Sequence, residues 1–214
     1  MKIIDDFVRD PKLLEAMQNT HSDFWAEGYS WWHSSSPAIT LRHRLIDYIW
    51  LQGRNELPEN VAGFEHWAGI YDASGKRSFM ELVDQTDSPH VQPDRHGSKK
   101  FSLIHHVDKD EAYWAANEGK IISPELGCIY YPIQDQECKG GYLRIYDAPA
   151  GDVSEAFKKP YELIAPKANR LIIFYPGILH AVEEVTEGIR FAIAINLWRK
   201  PLSAAQMNEM IDIV

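Results

Sequence analysis

Phe101-Ser102-Leu103-Ile104-His105-His106-Val107-Asp108 runs from an apolar strand pattern into a charged turn. Side chains two apart in a strand share a face. His106 and Asp108 therefore present an imidazole and a carboxylate together, while His105 points the other way with Val107 as its same-face neighbour. A His-x-Asp pair alone is commonplace, and its bland reading is a hydrogen-bonded pair at a strand end. A second segment sharpens the reading. Arg170–Tyr175 has the texture of a buried strand, Pro176-Gly177 turns, and His180 stands at the start of the next apolar run. Ten residues on, Arg190 opens Phe191–Trp198, a stretch with no other charge. A guanidinium facing an apolar interior needs an anionic partner, because an unpaired buried charge is very costly.

Two imidazoles and one carboxylate, at His106, Asp108 and His180, make the facial ligand set used for non-haem Fe(II), although the same donors accept Mn, Co or Zn. Three protein ligands leave three positions open. A chelating 2-oxo acid would fill two and dioxygen the third. The planar fork of Arg190 matches a carboxylate in bidentate fashion, as the far end of 2-oxoglutarate requires. The bland alternative pairs Arg190 with Glu183, Glu184 or Glu187.

These side chains need a scaffold. The first third reads as mainly helical. Asp10-Pro11 is a cap followed by proline at the first helical position, with Leu13, Leu14 and Met17 as the apolar stripe. Ser36-Pro37 repeats that start signal, ahead of Ile39, Leu45, Ile46, Ile49 and Trp50, with Gly53 as the stop. Gly28–Ser35 between them, containing Trp31-Trp32, reads as an aromatic loop covering a core edge. From residue 61 the texture changes to short β-branched and aromatic runs broken by Gly, Pro, Asp and Asn. Strands are expected near 63–71, 77–83, 101–107, 126–133, 141–146, 160–164, 170–175, 179–184 and 189–198. Segment 84–99 is a polar loop, 109–120 a short helix or loop, and 202–214 a helix packed on a sheet edge. Strands at this spacing without βαβ alternation predict a single mainly-β domain, a jelly-roll barrel with flanking helices, over 1–214.

Composition narrows the function classes. The chain has 214 residues and a formal net charge of −9, which opposes binding to a phosphate backbone, so no nucleic acid is expected as partner. No apolar run approaches the ~20 residues of a membrane span, so no membrane is expected either. Two cysteines, Cys128 and Cys138, make no disulfide framework. With an acidic pair, Asp5-Asp6, where a signal peptide would be apolar, they predict a cytoplasmic protein. Nothing in the chain speaks to its oligomeric state.

Leu126-Gly127-Cys128-Ile129-Tyr130-Tyr131, Gly140-Gly141-Tyr142-Leu143-Arg144-Ile145-Tyr146, Asn169–Phe174 and His180 to Arg190 together resemble the catalytic core of prolyl-hydroxylase-type 2-oxoglutarate/Fe(II)-dependent oxygenases. The likeness is greatest to the hypoxia-inducible-factor type, and it spans roughly residues 100–198 in family order. It implies a double-stranded β-helix, the cupin-like jelly roll. It implies that His106, Asp108 and His180 hold Fe(II), and that Arg190 pairs with the distal carboxylate of 2-oxoglutarate. Tyr131 would donate a hydrogen bond to that carboxylate, which agrees with the need of any buried tyrosine hydroxyl for a partner. Leu143 would line the apolar wall of the co-substrate pocket. Ascorbate would serve as reductant. The implied reaction is hydroxylation of an unactivated C–H, first a prolyl residue in a protein or peptide, next a free amino acid or small metabolite.

The chain departs from the family in places. Arg95–Lys100 holds no tyrosine where one often helps bind the co-substrate, and Asn196 stands where a tryptophan is expected. His96 sits near the expected pocket mouth. His33, His43, His66, His90 and His105 read as surface or packing residues. Two rival classes remain: a non-catalytic cupin-like module binding a small anion or a partner through Arg190, and a metal-dependent isomerase or hydrolase that would keep the three ligands without needing Arg190 and Tyr131.

Overall fold

A computed structural model describes residues 1–26, 28–52, 60–76, 92–93, 100–133, 135–149, 156, 158–175 and 177–203. The strand expected near 77–83, the stop at Gly53, His90, His96 and the C-terminal helix beyond residue 203 lie outside the described residues.

Two antiparallel sheets face each other. The larger has seven strands, in the order β1 (Lys2–Ile4), β11 (Arg170–Phe174), β7 (Leu126–Tyr131), β14 (Arg190–Trp198), β3 (Gly63–Asp72) and β2 (Ser30–His33), with β4 (Gly75–Lys76) also on β3. The smaller has five: β10 (Tyr161–Ile164), β9 (Leu143–Pro149), β12 (Ile178–Glu183), β6 (Lys100–His106) and β5 (Gln92–Pro93). A two-stranded ribbon joins β8 (Lys139–Gly140) to β13 (Val185–Glu187). This is the expected mainly-β, double-stranded β-helix architecture.

Side-chain alternation divides the residues of the large sheet between two cores. Along β14, Phe191, Ile193, Ile195 and Leu197 face the helices, as do Phe64, Ala68 and Ile70 of β3 and Cys128 and Tyr130 of β7. The intervening residues face the small sheet. There Ile129, Tyr131, Ile172, Phe174 and Ala192 meet Leu143, Ile145 and Ile164. His106, Asp108 and His180 come together between the sheets, beside this inner core.

Helices cover the outer face. In α1 (Pro11–Gln18), the Asp10 carboxylate accepts from the backbone N–H groups of Lys12 and Leu13 and buries Leu13 and Met17, as the cap-plus-proline pattern requires. Helix α2 (Leu41–Gln52) buries Leu45, Ile46 and Ile49. It starts later than Ser36-Pro37 suggests. Thr40 is the residue whose hydroxyl caps it, accepting from the His43 N–H, and Ile39 is left 75% exposed. A third helix, α3 (Glu111–Ala116), is capped by Asp110. No helix of the described residues is long and apolar enough to cross a membrane.

The aromatic segment at 28–35 departs from its expected loop. Ser30–His33 pairs with β3 as a sheet edge, Trp32 stacking on His43 and Phe64 with ring centroids 5.0 and 5.4 Å away. Four residues between turn formers are too few for a period to register, so cross-strand pairing decides the outcome.

Candidate metal centre

Strands β6 and β12 pair so that His106 and His180 stand directly opposite each other, their ring centroids 4.2 Å apart. Asp108 lies two residues past His106, just beyond the strand end, and returns to the same face. Its Oδ1 is 3.9 Å from His106 Nε2 and its Oδ2 is 3.7 Å from His180 Nε2. One ligand atom from each of the three lies within 4.8 Å of the others. This is the trio that the sequence singled out.

Both imidazoles are held alike. His106 Nδ1 lies 2.8 Å from the Ile104 carbonyl and His180 Nδ1 lies 2.9 Å from the Ile178 carbonyl. A carbonyl only accepts, so each Nδ1 carries the proton and each Nε2 keeps its lone pair for a cation. Burial pushes the His106 pKa well below its usual value, and His180 beside it pushes further, against the opposing pull of Asp108. Neutral imidazoles with fixed tautomers and an adjacent carboxylate suit a divalent cation of the Fe(II) type. His105 points away, its Nε2 3.0 Å from the Tyr146 hydroxyl.

The cavity below the trio is walled by Leu143, Ile129, Phe174 and Val182. Gly69, with no side chain, and Ala192 and Ala194, with only a methyl each, hollow out the opposite wall. Arg190 lies at its far end and is only 3% exposed. Its Nε donates to the Gly141 carbonyl at 2.9 Å and its Nη2 donates to the Tyr131 hydroxyl at 2.9 Å. The guanidinium lies between the Tyr131 and Tyr71 rings, 5.0 and 5.8 Å from their centroids.

Among the described residues no carboxylate pairs with Arg190. Glu183 is bound to Arg144 and Glu187 to Lys139. The structural partners considered for Arg190 are thus engaged elsewhere or out of reach. A buried cation lining a cavity, with two of its nitrogens held by neutral acceptors, suits an anion brought in by a ligand.

A wider cleft continues from the trio towards solvent. Glu65, Trp67, Tyr71 and Asn196 line one wall, Leu103, Asp108 and Lys109 another, and Tyr29 its rim. Trp31 and Trp32 do not line it; Tyr29 and Trp67, with ring centroids 4.9 Å apart, are its aromatic pair. Burial pushes the Glu65 carboxyl up to about 7, even though Asn196 Nδ2 and Trp198 Nε1 donate to its Oε2 at 3.2 and 3.1 Å. Sequence reasoning did not pick out Glu65, Trp67 or Gly141. The signal for Glu65 was the one used for Arg190, a charge inside an otherwise apolar strand.

Residues 91–198 match the family described as the 2OG-Fe(II) oxygenase superfamily. Among curated proteins none matches the chain. Among solved structures, a Pseudomonas putida prolyl-4-hydroxylase superposes with a TM-score of 0.52 at 16% identity, covering 94% of this chain and 88% of that one. The non-heme alpha ketoglutarate dependent epimerase SnoN from nogalamycin biosynthesis gives 0.55 at 9% identity, covering 99% and 85%. HygX from Streptomyces hygroscopicus, with nickel and 2-oxoglutarate bound, gives 0.51 at 12% identity, covering 92% and 80%. At these identities the likeness speaks to the fold.

Proposed function

The chain belongs to the 2OG-Fe(II) oxygenase superfamily, and from that premise we propose that it hydroxylates an unactivated C–H, on a prolyl residue of a protein or peptide, at the mouth of the cleft beside His106, Asp108 and His180. One observation carries the reading. The three ligand atoms converge at one end of the same cavity whose other end holds the buried guanidinium of Arg190, which has no carboxylate partner among the described residues.

In this reading Fe(II), with 2-oxoglutarate and dioxygen, supplies the oxidising chemistry, and the protein supplies binding, orientation and exclusion of side reactions. His106 Nε2, His180 Nε2 and an Asp108 oxygen hold the metal. The carbonyls of Ile104 and Ile178 keep both rings from turning by holding their Nδ1 protons. Arg190 takes the distal carboxylate of 2-oxoglutarate. Tyr131 accepts from Arg190 and so keeps its own phenolic proton to donate to the same carboxylate. Leu143, Ile129 and Phe174 exclude water from the co-substrate stem. The substrate enters on the side of Trp67 and Tyr29.

A second reading, oxidation of a free amino acid or small metabolite, is favoured by a buried carboxylate, Glu65, in the substrate side of the cleft.

The test is succinate release from 2-oxoglutarate with Fe(II), ascorbate and oxygen. Slow turnover without added substrate is expected, together with loss of turnover in Arg190→Ala. A folded protein that binds neither metal nor 2-oxoglutarate would overturn the reading.

A further inference from the structure

The inner face of the β3–β14 ladder carries opposite charges at its two ends. Arg190 pairs across the strands with Tyr71, and Asn196 pairs with Glu65. The two rungs are six residues apart, roughly 20 Å at strand rise. The rungs Gly69–Ala192 and Trp67–Ala194 lie between them. The cation end lines the inner cavity and the carboxylate end lies in the outer cleft.

Glu65 is 5% exposed, yet among the described residues no cation lies within ion-pair distance of it. Its Oε2 already receives two N–H donors, from Asn196 and Trp198. Those donors fix the carboxylate from behind. Lys109, on the facing wall, is bound to Glu111 at 2.6 Å. Two residues along the strand from Glu65, Trp67 turns to the same cleft, with Tyr29 packed on it at the rim. Aromatic faces beside a carboxylate attract cations, since the ring quadrupole is negative on its face. A buried carboxylate without a counter-charge is expensive to keep, and Glu65 lies where an incoming substrate would meet it.

We propose that Glu65 selects the substrate by pairing with a cationic nitrogen, a protonated amine or a guanidinium, on the molecule to be oxidised. The assignment rests on the oxygenase reading and names the substrate class for it. For a prolyl substrate the cation would be an uncapped ring nitrogen or the side chain of a basic neighbour. Trp67 and Tyr29 supply its aromatic flank. Asn196 and Trp198 are positioning residues that hold the carboxylate.

Four matched pairs test this on the protein loaded with Fe(II) and 2-oxoglutarate without oxygen. They are L-prolinamide against N-acetylprolinamide, L-leucinamide against N-acetylleucinamide, Nα-acetyl-lysinamide against its Nε-acetylated form, and Nα-acetylargininamide against Nα-acetylcitrullinamide. Binding is read by ligand-observed NMR. At least one cationic member should bind about tenfold more tightly than its neutral partner, the worth of one charge-assisted hydrogen bond. Glu65→Gln keeps an acceptor for Asn196 and Trp198 and should abolish that preference, with folding checked by circular dichroism. Should Glu65→Gln fail to fold, Glu65→Asp, one methylene shorter, should weaken the preference while keeping the charge.

No cation preference in the wild-type protein, or a preference that survives the loss of the Glu65 charge, overturns the proposal. Succinate release without added amine reports on the oxygenase reading separately. Turnover without cation preference sinks only the role of Glu65. Cation preference without turnover leaves Glu65 a cation site but sinks the oxygenase reading and, with it, the selection of a substrate for oxidation.

Discussion

Gly141 and Arg190 are matched in both polarity and shape. The Gly141 carbonyl accepts from Arg190 Nε at 2.9 Å, and a Cβ added to Gly141 would lie 2.9 Å from Arg190 Cδ. Gly141 also has a φ of +63°, which side chains rarely adopt. Gly141→Ala is therefore expected to displace the guanidinium and raise the KM for 2-oxoglutarate by about tenfold or more, the cost of a lost charge-assisted hydrogen bond. The proposed metal ligands lie on β6, β12 and the turn after β6, so metal affinity should change little. Parallel titrations of 2-oxoglutarate and metal check this. An equal loss of both would mean that the glycine supports the whole fold and not the arginine.

Asp108→Ala should remove stable metal binding. The nearby carboxylate in the sequence, Asp110, cannot take over, because it is fully engaged. Its Oδ1 accepts from the Tyr113 N–H at 2.7 Å and from the Ser203 hydroxyl at 2.9 Å, and its Oδ2 accepts from the Ser203 N–H at 2.7 Å. Isothermal titration with Mn(II) or Fe(II) should show affinity falling at least about a hundredfold, the upper range for disturbing a ligand's support. Near-normal affinity would remove Asp108 from the ligand set.

The strands that hold the centre were legible because each is a largely apolar run broken by a few residues that can do chemistry. His106, His180 and Arg190 stand out in such runs. The shared face of His106 and Asp108 followed from the period of two, although β6 ends at His106 and the turn completes the geometry. Glu65 interrupts Gly63–Tyr71 in the same way, and only its position across from Asn196 gives it meaning. Gly141 went unnoticed inside its motif, since nothing local says that a carbonyl there meets an arginine 49 residues away. The edge strand at Trp31 and Trp32 and the late start of α2 were hidden for a related reason. Cross-strand pairing in one case and a threonine cap in the other outweighed the local pattern.

Removing metal should leave a protein that weakens in acid. His106 titrates well below the usual imidazole value in the fold, first because of burial and then because of His180. The unfolded chain therefore binds its proton more readily than the native one. The stability tied to the neutral imidazole is present above about pH 6.5 and is lost as pH falls below it. Bound metal competes for the Nε2 lone pairs and adds stability by mass action. Thermal scans of metal-free protein should show Tm falling from pH 7.5 to pH 5.5. Excess Mn(II) should raise Tm at both pH values, because His106 keeps its Nε2 lone pair in the native protein to a pH well below the usual imidazole value. No metal-induced shift at pH 7.5 would contradict the tautomers assigned to the two histidines, which leave both Nε2 lone pairs free for a cation.

Glu65 carries the opposite sign. Burial raises its carboxyl from 4.5 to about 7, so the native protein binds that proton more tightly than the unfolded chain does. Its contribution is full below about pH 4.5 and is lost as pH rises through about 7. Glu65→Gln keeps the acceptor for Asn196 and Trp198 but cannot ionise. In metal-free protein it should match the wild type at pH 5 and be the more stable form at pH 8, by an amount on the order of 3 kcal/mol. Metal-free protein is the right form for the comparison, because the Asp108 carboxylate contributes to the raised value and a cation bound there would offset that repulsion. Denaturant unfolding at the two pH values reads the difference directly. Equal stability of variant and wild type at both would mean that Glu65 stays ionised in the cleft at little cost. A positive charge would then already be held beside it.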